Sequence, residues 1–121
     1  MTIPHKSLTK AEEQVMQALW QAGDSFLKDI IECMPQPHPH SNTVATLLKN
    51  LIEKGYVTTT VFGRNNRYQA LVKKEDYASE TLGSVISSYF NGSYTNALSM
   101  MVDKKEISIT DLELLLQHLK K

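Results

Sequence analysis

Residues 41–67 decide the fold, and they read SNTVATLLKNLIEKGYVTTTVFGRNNR. The first half carries apolar residues three and four positions apart, which places them on one face of an amphipathic helix. These residues are Val44, Leu47, Leu48, Leu51 and Ile52. A short side-chain oxygen from Ser41 or Asn42 is expected to cap the start of the helix, and Gly55 is expected to follow its last turn.

The second half of this stretch predicts a β-hairpin. Residues 56–61 are β-branched or aromatic, which favours a strand. Residues 62–66 contain a glycine and two asparagines, which suit a turn, and residues 67–72 form the returning strand. The sequence therefore predicts a helix that leads directly into a hairpin with an arginine near its tip.

Two further helices are predicted before this unit. Thr9 and Glu12 have the spacing of a capping box, and the helix that they begin ends before Gly23. A second helix is predicted over residues 26–34, and the three prolines of residues 35–39 form a rigid connector. Helix, helix, connector, helix and hairpin is the element order of a winged helix-turn-helix module.

The predicted fold class is mainly α (α+β), with a winged-helix domain over residues 1–74 and a helical region over residues 75–121. Three amphipathic helices are predicted in the second region. A unit this small rarely encloses its own core, so we expect its apolar stripes to bury against a second copy of the chain. The alternative is a helical cap on the first domain. The predicted dimerisation residues are Leu82, Val85, Ile86, Tyr89, Phe90, Leu98, Met101, Leu112, Leu115, Leu116 and Leu119.

The composition is that of a globular protein, with 41% hydrophobic and 21% charged residues. A single cysteine excludes an internal disulfide and fits a reducing compartment. The sequence shows neither an apolar segment of membrane-spanning length nor the apolar core of a signal peptide at its start. We therefore expect a cytoplasmic protein that does not itself span or bind a membrane.

The formal net charge is zero, but the charge is unevenly distributed. Residues 43–74 contain six basic residues and one acidic residue, a local charge of +5, whereas the segments before and after carry −2 and −3. A charge cluster most often marks a solvated face. Its coincidence with the predicted helix and hairpin favours a surface that binds a polyanion.

Catalytic chemistry is not indicated by any arrangement of residues. There is neither a nucleophile elbow nor a glycine-rich phosphate loop. Cys33, His38 and His40 are close in sequence, but three ligands at this spacing match no common zinc pattern. We therefore predict no enzyme activity, no metal and no cofactor, and we expect Cys33 to be a small buried apolar group.

Polar residues on the predicted helix and hairpin have the chemistry that reads double-stranded DNA. Asparagine can pair bidentately with adenine, threonine offers a hydroxyl and a methyl group, and lysine suits phosphate or guanine. Arginines on a hairpin would reach the backbone or the minor groove. The predicted DNA-binding residues are Asn42, Thr43, Thr46, Lys49, Asn50, Arg64 and Arg67. The alternative is a winged-helix module that binds proteins instead of DNA, which the zero net charge favours.

A series of short motifs runs through the chain. They are residues 8–12 (LTKAE), 15–16 (VM), 19–20 (LW), 42–51 (NTVATLLKNL), 54–57 (KGYV) and 63–64 (GR), then Tyr68, and residues 101–108 (MVDKKEIS). Their order and spacing together resemble the penicillinase repressor and methicillin-resistance repressor family (the BlaI/MecI/CopY type), and the resemblance covers nearly the whole chain.

The resemblance implies a homodimeric repressor whose two recognition helices read an inverted-repeat operator. It also implies release by cleavage in the dimerisation region, triggered by a membrane sensor with a metalloprotease domain, with Met100 and Met101 flanking the corresponding bond. The chain departs from the family pattern in having Asn42 and Asn50 where basic residues are common, and Met100-Met101 where an Asn-Phe type of bond is usual. It also lacks the cysteine-rich tail of the copper-responsive members.

Overall fold

The structure is a computed structural model, and it describes residues 6–120. Residues 1–5, which contain most of the segment assessed for a signal peptide, lie outside the described part. The elements, in chain order, are α1 (Lys10–Ala22), β1 (Ser25–Phe26), α2 (Leu27–Glu32), α3 (Ser41–Glu53), β2 (Val57–Phe62), β3 (Asn65–Ala70), α4 (Lys74–Phe90), α5 (Tyr94–Asp103) and α6 (Ile109–Leu119).

The chain divides into two compact units, which meet in sequence between Ala78 and Ser79. This division falls inside α4, slightly after the boundary predicted at Lys74. The first turn of α4 therefore belongs to the first unit, in which the rings of Trp20 and Tyr77 lie with their centroids 5.7 Å apart and their planes tilted by 45°.

Helix α1 has the start and the end that the sequence predicts. The Thr9 hydroxyl accepts the Glu12 N–H at 3.1 Å, and the Glu12 carboxylate accepts the Thr9 N–H at 2.8 Å, so both halves of the capping box are formed. Gly23 ends the helix with a φ of +78°, and its N–H donates to the carbonyl of Leu19. Glycine is favoured there because it has no Cβ to oppose a positive φ.

Helix α3 spans the predicted residues, but the expectation that Ser41 or Asn42 caps it is wrong. The N-cap is His40, whose Nδ1 accepts the Asn42 N–H at 3.0 Å. The imidazole nitrogen accepts a backbone N–H of the first turn, as the side-chain oxygen of a serine or asparagine would. The cap therefore lies one residue before Ser41. At the other end, Gly55 has a φ of +85°, as a residue that follows a helix often does.

Helix α2 is shorter than predicted because its expected first residue belongs to a strand. Ser25 and Phe26 form β1, which pairs antiparallel with β3 through the registers Ser25–Tyr68 and Phe26–Arg67. The sheet has the order β1-β3-β2, so β3 lies at its centre. The first unit is therefore a winged helix with a three-stranded sheet in place of a bare hairpin.

Strands β2 and β3 form the predicted hairpin, with Phe62 opposite Asn65 and only Gly63 and Arg64 between them. Gly63 has a φ of +61°. A positive φ at the first residue of a two-residue loop is the pattern of a type II′ turn, whose twist matches that of the flanking strands. This turn places Arg64 at the tip of the hairpin.

The core of the first unit is formed by α1, α2, α3 and one face of the sheet. Its apolar side chains include Val44, Leu48 and Leu51 from the stripe predicted in α3. Trp20 lies at the edge of the core, where its indole N–H donates to the Val72 carbonyl at 2.8 Å. Cys33 is partly buried against this core. The most completely buried side chains are Val15, Met16, Leu19, Ile30, Val44, Leu48, Leu51, Val57 and Val72.

A buried ion pair joins α1 to the end of α3. Glu12 is 3% exposed, and its Oε1 lies 2.6 Å from the Nζ of Lys54, which also donates to the Ser7 carbonyl at 3.0 Å. Burial raises the pKa of Glu12, but the hydrogen bonds from Lys54 and Thr9 and the charge of Lys54 outweigh it, so the pKa lies below its ordinary value.

The second unit consists of most of α4 together with α5 and α6. Ser93 caps α5, and Ser108 with Asp111 forms the capping box that begins α6. Ile86 and Ala97 are the buried residues of its described part, and α6 has no buried residue. The second unit therefore leaves most of its apolar surface exposed.

Candidate nucleic-acid interface

One face of α3 is polar and open to solvent. Asn42, Thr43, Thr46 and Lys49 are exposed, and Asn50 is partly exposed. The opposite face is fixed in the core by Val44, Leu48 and Leu51, which are fully buried. Because the apolar face is buried in the core, the polar face is directed outward, where it can contact base edges.

Thr46 is already hydrogen-bonded within the helix. Its hydroxyl donates to the carbonyl of Asn42 at 2.9 Å. This bond uses the proton of the hydroxyl and leaves the oxygen lone pairs and the methyl group for a partner. Thr46 is therefore suited to accept a hydrogen bond from an exposed amino group or to contact a thymine methyl group.

The hairpin carries an arginine in contact with an aromatic ring, on the face that does not enter the core. The Arg67 guanidinium lies 5.9 Å from the centroid of the Phe62 ring, and Phe62 meets Phe26 edge to face at 6.3 Å. Phe62 is 49% exposed. The cation–π contact restricts the positions that the guanidinium can adopt, and so it reduces the entropy that Arg67 would lose on binding a phosphate.

An open groove with a volume of about 660 Å³ lies between α2, α3 and the hairpin. Ala45 lines the groove from α3, and Arg64 lines it from the hairpin tip. The predicted recognition helix (α3) and the predicted wing (the β2–β3 hairpin) therefore border the same groove. Lys28, Asn65 and Asn66 also line it. The prediction did not include these three residues, because Lys28 belongs to the preceding segment, whose net charge is −2, and the asparagines were assigned to the turn.

Lys54 does not add to the basic surface, although the sequence places it in the +5 segment. Its ammonium group is paired with the buried Glu12 carboxylate. The cations of this unit that remain exposed near the polar helix face and the hairpin include Lys49, Arg64 and Arg67. The positive surface is therefore smaller than the sequence count indicates.

Within residues 6–120, no three histidine, cysteine, aspartate or glutamate side chains are grouped so that they could hold a metal ion. The Nδ1 of His40 is occupied by the cap of α3. No helix in the described part of the chain has the length and hydropathy needed to cross a membrane.

A three-helix winged module with a polar, outward-facing third helix and an arginine-tipped hairpin defines a class of DNA-binding proteins. The family model of the penicillinase repressor matches residues 8–121. The chain belongs to this family, and it is accordingly a DNA-binding transcriptional repressor and not an enzyme.

Several proteins are similar to this chain. An uncharacterised 16.5 kDa protein of Latilactobacillus sakei is 27% identical over 106 residues, covering 87% of this chain and 73% of that protein. The methicillin resistance regulatory protein MecI of Staphylococcus aureus (strain N315) is 25% identical over 107 residues, covering 88% of this chain and 87% of MecI. A solved structure titled CopR repressor is 30% identical, with a TM-score of 0.46, and covers 56% of this chain and all of that one.

Proposed function

We propose that the chain represses transcription as a homodimer that binds an inverted-repeat operator, with α3 of each protomer in a major groove. The observation that carries this proposal is the exposed polar face of α3 beside a groove that is also lined by Arg64 of the wing. A two-fold dimer matches the symmetry of an inverted repeat, in which half-sites one helical turn apart present the same groove edge.

In this proposal, Asn50 and the threonines of α3 read base edges and the hairpin arginines hold the backbone. The base-reading residues Asn42, Thr43, Thr46 and Asn50 are amides and hydroxyls, and Lys49 is the one cation of the face. Phosphate contacts give affinity without sequence information, so discrimination depends on the amide and hydroxyl groups. We therefore expect modest affinity for each module and a large contribution from joining two half-sites in one dimer.

The role of Asn50 can be tested with a duplex selected for binding from the DNA upstream of the gene. Asn50→Ala is expected to lower affinity for this duplex by about 1–3 kcal/mol and to relax the preference at one base pair, because a bidentate contact to adenine is lost. Fluorescence anisotropy on selected and random duplexes measures both effects. Asn96→Ala, at an exposed asparagine of α5, is the control. Equal losses on the two duplexes would contradict the assignment.

Support for the dimer comes from the exposed leucines of the second unit. Leu114, Leu115 and Leu116 are 60%, 50% and 53% exposed, and Leu119 is 69% exposed. Consecutive positions point in different directions around a helix, so α6 is apolar on more than one side. A helix of this kind is normally buried in its functional state. Its exposure in a single chain favours a second copy as the covering surface.

Of the predicted dimerisation residues, Leu82, Val85, Tyr89 and Leu98 are also exposed, and Phe90, Met101 and Leu112 are partly buried. Ile86 differs from the rest because it is only 4% exposed in the single chain. The exposed large apolar residues also include Tyr94 and Ile109, which the list of predicted dimerisation residues omits. We include both of them in the proposed interface.

We also propose that the repressor is released by cleavage between Met100 and Met101, by a membrane sensor with a metalloprotease domain. This bond lies in the last turn of α5, where the Met100 carbonyl accepts the Lys104 N–H at 3.0 Å. Cleavage there requires local unwinding, because proteases act on transiently opened backbone. Mass spectrometry of the chain from cells treated with a β-lactam would detect a fragment that ends at Met100. An intact chain in derepressed cells would exclude this route.

A further inference from the structure

The groove between α2, α3 and the hairpin contains two cations that face it from different elements. Lys28 lies in the first turn of α2, and Arg64 lies at the tip of the hairpin. Both side chains are exposed. The two residues are far apart in sequence, and the pairing of β1 with β3 brings the start of α2 beside the hairpin.

The remaining polar lining suits a chain of phosphates. Asn65 and Asn66 are exposed and contribute amide groups that can donate hydrogen bonds. Asp29 is the one acidic residue among the lining residues, and its carboxylate accepts the N–H of Phe26 at 3.3 Å. With one lysine, one arginine and one aspartate, the lining carries a net charge of +1.

The size and position of the groove agree with this chemistry. Ala45 is the contribution of α3, and its small side chain leaves the groove open beside the polar face of the helix. A helix in the major groove is flanked on each side by a sugar-phosphate backbone. A groove that separates the recognition helix from the wing is therefore in the place where one backbone strand would pass.

We propose that this groove holds a segment of one DNA backbone, with Lys28 and Arg64 contacting phosphates from opposite elements. Lys28 thereby becomes a positioning residue that fixes the register of α3 on the duplex without reading bases. The inference rests on the proposed function, since it names the part of the surface that receives the phosphates. The inference goes beyond the proposed function because it assigns α2 a role in contacting the DNA backbone.

The experiment measures the affinity of the full-length protein for selected and random duplexes by anisotropy over a range of salt concentrations. Lys28→Ala is expected to weaken binding to both duplexes alike and to reduce the slope of log K against log salt by about 0.9 for each groove occupied, because one fewer counterion is released. Lys28→Arg is expected to keep the slope. Lys104→Ala is the matched control and should keep the wild-type slope, since this exposed lysine follows α5 in the second unit.

The variant Asp29→Asn provides an independent test of the groove assignment. The amide oxygen still accepts the Phe26 N–H, whereas a negative charge next to the phosphates is removed. We expect tighter binding to both duplexes, which a loss of structure could not produce.

An unchanged slope in Lys28→Ala, with Asn50→Ala still losing discrimination, would overturn the groove assignment and leave the proposed function intact. A wild-type protein that bound neither duplex in a salt-dependent manner would overturn the proposed function itself.

Discussion

From the sequence, Lys54 is expected to be a free cation on the basic surface, whereas in the structure its ammonium group is paired with Glu12. Its position at the C-cap of α3 suggests a favourable interaction with the helix dipole and a contribution to DNA binding. Its ammonium group instead lies 2.6 Å from a carboxylate of Glu12, which is 3% exposed. A buried carboxylate without a partner is costly, so Lys54 and Glu12 have to be considered together.

Stability should therefore depend on pH through Glu12. Since the pKa of Glu12 in the folded chain lies below its ordinary value of 4.5, the folded state binds this proton more weakly than the unfolded chain does. The stabilisation is fully present above the ordinary value and is lost as the pH falls through the folded pKa. Urea unfolding of wild type and Glu12→Gln at a series of pH values should show a smaller acid-dependent loss in the variant.

The control for this experiment is Glu113→Gln, at an exposed glutamate of α6. It should keep the wild-type dependence on pH. If Glu12→Gln lost as much stability on acidification as wild type does, the Lys54–Glu12 pair would not be the source of the acid sensitivity.

The capping residues show which local details a sequence can reveal. Thr9 and Glu12 lie three residues apart and have side chains that suit only a few roles, so the capping box could be predicted and is confirmed. His40 could not be identified in the same way. Histidine caps helices less often than serine or asparagine, and both of those follow it in the sequence.

At the scale of elements, the long helices and the hairpin follow from periodicity, whereas β1 does not. A strand of two residues shows no alternation, and its partner β3 lies about forty residues further along the chain. Its existence depends on tertiary pairing. The same strand shortens α2 and brings Lys28 to the groove, which explains why the predicted site lacked this residue.

The hairpin turn gives a prediction at this scale. Gly63 has a φ of +61°, and a Cβ added there would meet no atom within 4 Å. The cost of Gly63→Ala is therefore conformational alone, and we expect a loss of about 1 kcal/mol in the free energy of unfolding. Gly63→Asn should lose less, because asparagine tolerates a positive φ. Urea unfolding of the three proteins gives the comparison, and equal losses for alanine and asparagine would contradict this account of the turn.

At the scale of the whole molecule, a neutral chain can carry a basic surface because its charges are unevenly distributed. The +5 of residues 43–74 is balanced by the acidic segments on either side. The sequence could indicate this imbalance but could not show that Lys54 is internally paired, since that pairing joins residues 42 positions apart. Likewise, periodicity identified the apolar stripes of α5 and α6. It could not show which face of α6 is buried, because the three consecutive leucines 114–116 point in different directions around the helix.

The exposed leucines of α6 make the oligomeric state the most direct test of the proposed assembly. Leu116 is 53% exposed, and full burial of a leucine stabilises an interface by about 1.5–3 kcal/mol. Leu116→Glu would place a carboxylate in that interface, so sedimentation equilibrium at micromolar concentration should change from dimer to monomer. Gln117→Glu adds the same charge at the next exposed position and should remain dimeric.

The same pair of variants separates dimerisation from DNA contact. Leu116→Glu should keep its affinity for a single half-site, because α3 and the hairpin are unchanged, and lose most of the gain from the second half-site of the inverted repeat. A wild-type monomer, or a Leu116→Glu protein that dimerised normally, would show that α6 is covered in some other way. A weaker half-site affinity in Leu116→Glu would instead mean that the second unit contributes to the DNA surface directly.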